Sequence, residues 1–330
     1  MIDDVRAAAT ALRVGGPPDE GELPTLELGG RAPAYLGLDD EGRLHLLLEL
    51  AAESDHHVTE VSALDIRSRR LSIAGRAVHV LDITNLVGAL AEVFDHLVVA
   101  ILERVAVTPE TPAAATRFVL ERWRAFLTPS SAPPGREKLA GLIGELLFLR
   151  DVLAADPTRR IDAWVGPFGA RHDFRRGDSA VEVKTTQAHT SHRVAINGED
   201  QLLAPEHGTL HLHFVRLEPV PDGGLSVAGL MDELLASGAA AERLFEAVTA
   251  SGIALTDIAA TSDVTFDERE RLTFAVYDDF PRIVPASFAG GARPEGVDDL
   301  VYSIDLAAQL DAALSQDAFA NLVGQLGGAG

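Results

Sequence analysis

Cysteine is absent from the 330-residue chain, which excludes disulfides, thiolate zinc sites and cysteine nucleophiles. Lysine is nearly absent too: of 28 basic residues only Lys138 and Lys184 are lysine. There is no Gly-x-x-x-x-Gly-Lys-Ser/Thr loop, no Gly-x-Gly-x-x-Gly after a strand, no Gly-x-Ser-x-Gly elbow and no His-Glu-x-x-His. The commonest nucleotide-binding, hydrolase and zinc-protease readings therefore have no residues to rest on. No stretch approaches 18 uninterrupted apolar residues, and the start, Met-Ile-Asp-Asp-Val-Arg, lacks the basic and apolar regions of a signal peptide. The expectation is a cytoplasmic protein.

Positive charge is scarce. The net charge of -22 argues against a protein that coats nucleic acid non-specifically. Between Arg150 and Arg193, however, eight basic residues face six acidic ones, so this window is +2 while the remainder carries -24. With 47% apolar and 24% charged residues the chain reads as globular, and its length allows two or three domains.

The pattern divides the chain into three regions. Residues 1–130 read as a β-rich N-terminal domain with closing helices. It opens with a helix over 2–14, followed by strands near 26–28, 34–38, 44–48, 58–61, 64–73 and 77–83, and by helices over 84–105 and 112–126. His56-His57 reads as surface. Residues 128–135, Thr-Pro-Ser-Ser-Ala-Pro-Pro-Gly, read as a linker. The second region, 131–218, begins with a helix over 136–154 whose apolar stripe holds Glu145 at its edge, with Gly141 and Gly144 permitting close approach of another backbone. A carboxylate half inside an apolar stripe is costly unless paired, and pairing with Arg150 or an outward bend is the alternative to a functional role. Strands at 161–165, 190–196 and 209–217 and a short helix at 201–203 follow. His211 and His213 are expected on a solvated strand face. Residues 219–330 form an α/β extension with helices over 227–237, 240–249 and 306–314, strands at 271–277 and 299–304, and a further strand beginning at 280. The Gly-rich tail from 327 is expected to fray.

Residues 171–187 carry the chemistry. Gly177-Asp178 is a Gly-X pair of the kind a two-residue type II′ hairpin requires. Such a turn sets Arg176 against Ser179, Phe174 against Val181 and Asp173 across from Glu182. Asp173, Glu182 and Lys184 then share one face, with Phe174, Val181 and Val183 on the other. Two opposed carboxylates destabilise a hairpin. Either Lys184 or a divalent cation offsets them, and a plain solvated hairpin face is the bland alternative.

Glu145 on a helix, then Asp173, then Glu182-Val183-Lys184 on adjacent strands resembles the PD-(D/E)XK nuclease superfamily. More narrowly, the chain resembles the bacterial group described as putative PD-(D/E)XK family members. The resemblance rests on Gly-Glu-Leu-Leu-Phe-Leu at 144–149, Trp164 with Gly166-Pro167, His-Asp-Phe at 172–174, Val-Glu-Val-Lys-Thr-Thr at 181–186, and the later Phe-Pro-Arg-Ile and Tyr-Ser-Ile-Asp-Leu. It covers roughly residues 25–310. One departure is His172, where the motif's name has Pro.

The resemblance implies an α/β (α+β overall) protein with a restriction-endonuclease-like core, a mixed central sheet flanked by helices. It further implies Mg²⁺-dependent hydrolysis of DNA in bacterial restriction or phage defence, with Mn²⁺ able to substitute. Asp173, Glu182 and the Val183 carbonyl would hold the metal, and Lys184 would serve the nucleophile. Glu145 would hold a second metal or a bridging water. Arg171, Arg175, Arg176 and Arg193 are candidate phosphate contacts, and Gln201 a candidate substrate contact. Implied partners are DNA and other subunits of a defence system, with homo-oligomers allowed. The competing reading is a catalytically silent DNA-binding or scaffold subunit of the same fold.

Overall fold

The computed structural model describes all residues except Arg31, 52–60, 129–131, Pro157, Arg159 and 329–330. His56-His57, most of the expected strand at 58–61, three residues of the linker and the last two of the tail lie outside the described residues. The chain divides into two compact units, one of residues 1–131 with 254–260, the other of 132–253 with 261–330.

In the first unit, helix α1 (Ile2–Arg13) precedes strands β1 (Thr25–Leu28), β2 (Ala34–Leu38), β3 (Leu44–Glu49), β4 (Leu64–Ile73) and β5 (Arg76–Asn85). They form one antiparallel sheet in the order β1-β2-β3-β5-β4. The β2–β3 turn is closed by Asp39, whose carboxylate accepts the N–H groups of Glu41 and Arg43 at 3.1 and 2.7 Å. The helix expected from Thr84 starts later. Thr84 and Asn85 are still in β5, paired with His45 and Leu64, and α2 (Ala91–Val107) begins after a 3₁₀ turn at Gly88–Leu90. Helix α3 (Pro112–Trp123) follows, capped by Thr111.

The second unit begins with α4 (Arg136–Ala155) and continues through β6 (Phe174–Arg176), β7 (Ser179–Thr186), β8 (Arg193–Asn197), β9 (Thr209–Pro219), α5 (Val227–Ala236) and α6 (Ala241–Ala250). The short α7 (Leu255–Ala260) belongs to the first unit. Then come β10 (Phe266–Ala275), β11 (Val301–Asp305) and α8 (Gln316–Gly327). The central sheet has the order β10-β9-β7-β6 and is mixed: β7 runs parallel to β9, and the other neighbours are antiparallel. Because β10 pairs along β9, residues on both sides of position 218 share this sheet.

Each face of that sheet is covered. Ala180, Leu210, Leu212 and Phe214 pack with Val194, Ile196, Ile304 and Leu306, so the β8–β11 pair covers one face. β8 thus lies outside the central sheet. Its partner is β11, more than a hundred residues later. Helices α4 and α8 pack on each other, and α4 lies on β7.

Several expected elements are corrected. Residues 161–165 contribute only an isolated bridge, Trp164 to Phe174. Residues 201–203 form a turn rather than a helix, residues 280–283 form no strand, and Leu306–Ala312 is a 3₁₀ helix. α8 went unread, although Ser315 caps it and Phe319, Leu322, Val323 and Leu326 recur at helical spacing. Its consequence is that His213 is not solvated: it is 1% exposed, stacked on Phe319, with Nδ1 2.8 Å from Thr273 Oγ1. Burial, aided by Arg271, pushes its pKa down to about 3.

Candidate active site

The hairpin forms in the register its turn imposes. Phe174, Arg175 and Arg176 pair with Val181, Ala180 and Ser179, and Gly177 takes φ +56°, the left-handed value needed at the first central position. Phe174 meets Phe148 of α4 edge-on at 4.7 Å. Alternation sends Glu182 and Lys184 to the other face.

β6 begins only at Phe174, so Asp173 lies just beyond the paired edge and does not form the expected cross-strand pair with Glu182. There its side chain does what a neighbouring strand would do: Oδ2 accepts the Val183 N–H at 2.7 Å. A strand residue's N–H and C=O point the same way, so the Val183 carbonyl is directed to the same open edge. The Asp173 carbonyl in turn accepts the N–H groups of Val165 and Gly166, each at 2.9 Å.

Glu145 arrives from α4. Gly144 is pressed against β7, where an added Cβ would stand 2.1 Å from Thr185 Oγ1 and 3.4 Å from Val183 Cγ1. Gly141, in contrast, has nothing within 4 Å, so of the two glycines only Gly144 permits a close approach. Trp164 Nε1 donates to Glu145 Oε2 at 2.7 Å. Arg150 pairs instead with Glu233 at 3.2 Å, so it is not the partner of Glu145.

On the far face, Lys184 Nζ lies 2.9 Å from Glu182 Oε1. Glu182 is 2% exposed and its Oε2 is buried with no hydrogen-bond partner. Burial, reinforced by the Asp173 carboxylate and opposed by Lys184, pushes its pKa up to about 8. Burial and Asp173 likewise push Glu145 up to about 8, with the Trp164 hydrogen bond acting against them and Glu182 adding to the rise. Asp173 is also raised by burial, against the Val183 N–H and Lys184. Three carboxylates from a helix, a loop and a strand therefore feel one another's charge.

Among the described residues no group of three or more His, Asp or Glu converges closely enough to hold a metal ion. The donor set nevertheless suits a hard divalent cation in charge and chemistry. It offers only carboxylate and carbonyl oxygens, mutual repulsion raises the acids, and one buried oxygen of Glu182 is unsatisfied.

The candidate DNA contacts are less uniform. Arg171 and Arg175 are exposed, and Arg175 Nε donates to the Gly177 carbonyl at 3.4 Å. The Arg176 guanidinium rests beside Gly328. Arg193 is paired with Asp305 at 3.3 Å, and Gln201 Oε1 accepts the Asn197 N–H at 2.8 Å, closing a turn. His172, at the position of the motif's Pro, is 3% exposed. Burial and Arg171 push it down to about 4, which leaves it neutral.

A family model described as "Putative PD-(D/E)XK family member" (DUF4420) matches residues 23–307. The chain belongs to this family. No curated protein and no solved structure matches it. The mixed sheet, with helices α4 and α8 on one face and the β8–β11 pair on the other, agrees with the PD-(D/E)XK-like α+β fold that the sequence motifs imply. Nuclease-like chemistry with a divalent metal is common in the PD-(D/E)XK class. No helix among the described residues is long and apolar enough to cross a membrane.

Proposed function

We propose that the protein is a metal-dependent phosphodiesterase acting on DNA in restriction or phage defence. The observation that carries this reading is the seating of Asp173 and Lys184 on β7: Asp173 accepts the Val183 N–H at 2.7 Å and Lys184 Nζ lies 2.9 Å from Glu182, with the Glu145 carboxyl near enough to feel their charge. Asp173, Glu182 and the Val183 carbonyl would hold Mg²⁺, or Mn²⁺ in its place, with Glu145 holding a second ion or a bridging water. The bound ion supplies a Lewis acid for a phosphate oxygen and lowers the pKa of an attacking water.

The chain's own residues supply the rest. Lys184 is compact, positively charged and fixed against Glu182, so it stabilises negative charge building on the nucleophile and phosphate. Lysine suits this role because its ammonium is a point charge that a guanidinium fork does not imitate. Arg171, Arg175 and Arg176 serve as phosphate contacts, which position DNA without reading its sequence. Arg193 contributes less, since Asp305 already neutralises it.

A second reading, a non-cleaving DNA-binding or scaffold subunit, is favoured by one observation: the net charge of -22 opposes unaided binding to a polyanion. The test is incubation of supercoiled plasmid with wild type and Lys184→Ala in Mg²⁺ or Mn²⁺. Nicking by wild type that disappears in the variant supports the enzyme. Absence of nicking by wild type with defence-system partners present favours the scaffold.

A further inference from the structure

Residues 163–166 touch two of the three acids at once. Trp164 is fully buried and its only polar atom, Nε1, donates to Glu145 Oε2 at 2.7 Å. Val165 and Gly166 both donate to the Asp173 carbonyl at 2.9 Å, and Ala163 accepts the Arg175 N–H at 2.7 Å. Gly166 has no room for a side chain: an added Cβ would stand 2.8 Å from both Asp173 Cα and Oδ1. Beyond this segment, the Arg243 guanidinium of α6 lies 4.1 Å over the Phe168 ring, holding the following turn from outside.

We propose that residues 163–166 are a positioning bracket for the metal site, in which Trp164 orients the Glu145 carboxylate and Gly166 seats Asp173. The inference rests on the metal-dependent reading of the site and adds to it residues that touch neither substrate nor metal. The physical reason is that Glu145 and Asp173 come from unconnected elements. Packing of α4 on β7 fixes the spacing of the two backbones but not the aim of the Glu145 side chain or the seat of Asp173 beyond the strand end, and this segment bonds to both residues. Trp164 leaves one Glu145 oxygen uncommitted, and its donor cannot rotate away because the indole is packed on Phe174, stacked at 6.3 Å. Partners of this kind fix ligand orientation and tune affinity without contacting the metal.

The test reads metal binding, not cleavage. Calorimetric titration with Mn²⁺ compares wild type, Trp164→Phe, Glu145→Gln and the double variant. Each single change is expected to weaken binding about tenfold or more, and the double variant no further than the weaker single one, because Trp164 acts through Glu145. Effects that multiply, or an affinity within about twofold of wild type in Trp164→Phe, overturn the bracket.

Should Trp164→Phe not fold, wild type labelled with 5-fluorotryptophan gives a second readout, since the sequence has only two Trp. Two ¹⁹F resonances are expected, of which the Trp164 signal shifts on Mg²⁺ addition and the Trp123 signal does not. An unmoved Trp164 signal at saturating metal contradicts the proposal. The two failures are separable: loss of binding in Asp173→Asn with an unaffected Trp164 removes the bracket and leaves the metal site, whereas no binding by wild type removes both.

Discussion

The Asp173 side chain accepts the Val183 N–H at 2.7 Å, in the place where a longer β6 would have offered a backbone carbonyl. One carboxylate oxygen thus completes the sheet edge while the residue remains available to the site. The two roles separate by substitution. Asp173→Asn keeps an acceptor for Val183 and should retain most stability while losing metal binding. Asp173→Ala leaves a half-buried donor unmet and should unfold earlier in urea, by about 1–3 kcal/mol. Equal stability of the two variants would mean that the bond contributes nothing.

The raised acids make metal-free stability depend on pH. Glu145 and Glu182 titrate at about 8 when folded, well above an ordinary glutamate. The folded state therefore holds more protons than the unfolded one between about pH 4.5 and 8. The stability this confers is complete below the lower value and is lost as pH rises through the upper. In EDTA the melting temperature should fall from pH 6 to pH 9, with a shallower slope in Glu182→Gln, and added Mg²⁺ should restore part of the loss at pH 9.

Lys184 offsets one buried acid directly. Without it, Glu182 keeps no cation at its Oε1, and the carboxyl avoids the cost only by staying protonated. Lys184→Ala should therefore be destabilised more at pH 9 than at pH 6, by urea denaturation at both. It should also cost at least about 10²-fold in cleavage rate, the range typical of losing one preorganised charge-stabilising group.

Gly144 and Gly141 lie on one helix but in opposite circumstances. Gly144→Ala drives a methyl into Thr185 and lifts α4 from β7, which should cost about 1–3 kcal/mol and displace Glu145. Gly141→Ala enters open space and should stabilise by about 0.5–1 kcal/mol through helix propensity. Chemical denaturation of both decides it, and similar effects in the two variants would contradict the packing account.

What could be read from the sequence divides along the range of the interactions involved. The hairpin was legible because Gly177 and strict alternation are local, and they alone fix which side chains share a face. Glu145 stood out because a carboxylate on an apolar stripe has few inexpensive explanations. The Trp164–Glu145 bond was not read, although a buried indole N–H needs an acceptor, because 19 residues and a change of element separate the pair. His213 was misread as solvated because the helix that covers it, α8, lies a hundred residues further on. β8 was legible as a strand but its sheet was not, for the same reason, since nothing in Arg193–Asn197 names β11 as its partner. Thr84 was assigned to a helix because a short apolar run fits both periods, and the pairing with His45 decided for strand.

The most direct test of the central claim is calorimetric titration of the metal-free protein with Mn²⁺ at pH 7 in two buffers of different ionisation enthalpy, which reports both binding and proton release. A metal site built from Glu145, Asp173 and Glu182 must expel protons as it fills, because these acids are raised by burial and by one another. The expected result is saturable binding with release of about one proton or more per ion, and no binding in Asp173→Asn. Binding without proton release, or binding that survives in Asp173→Asn, would contradict the assignment.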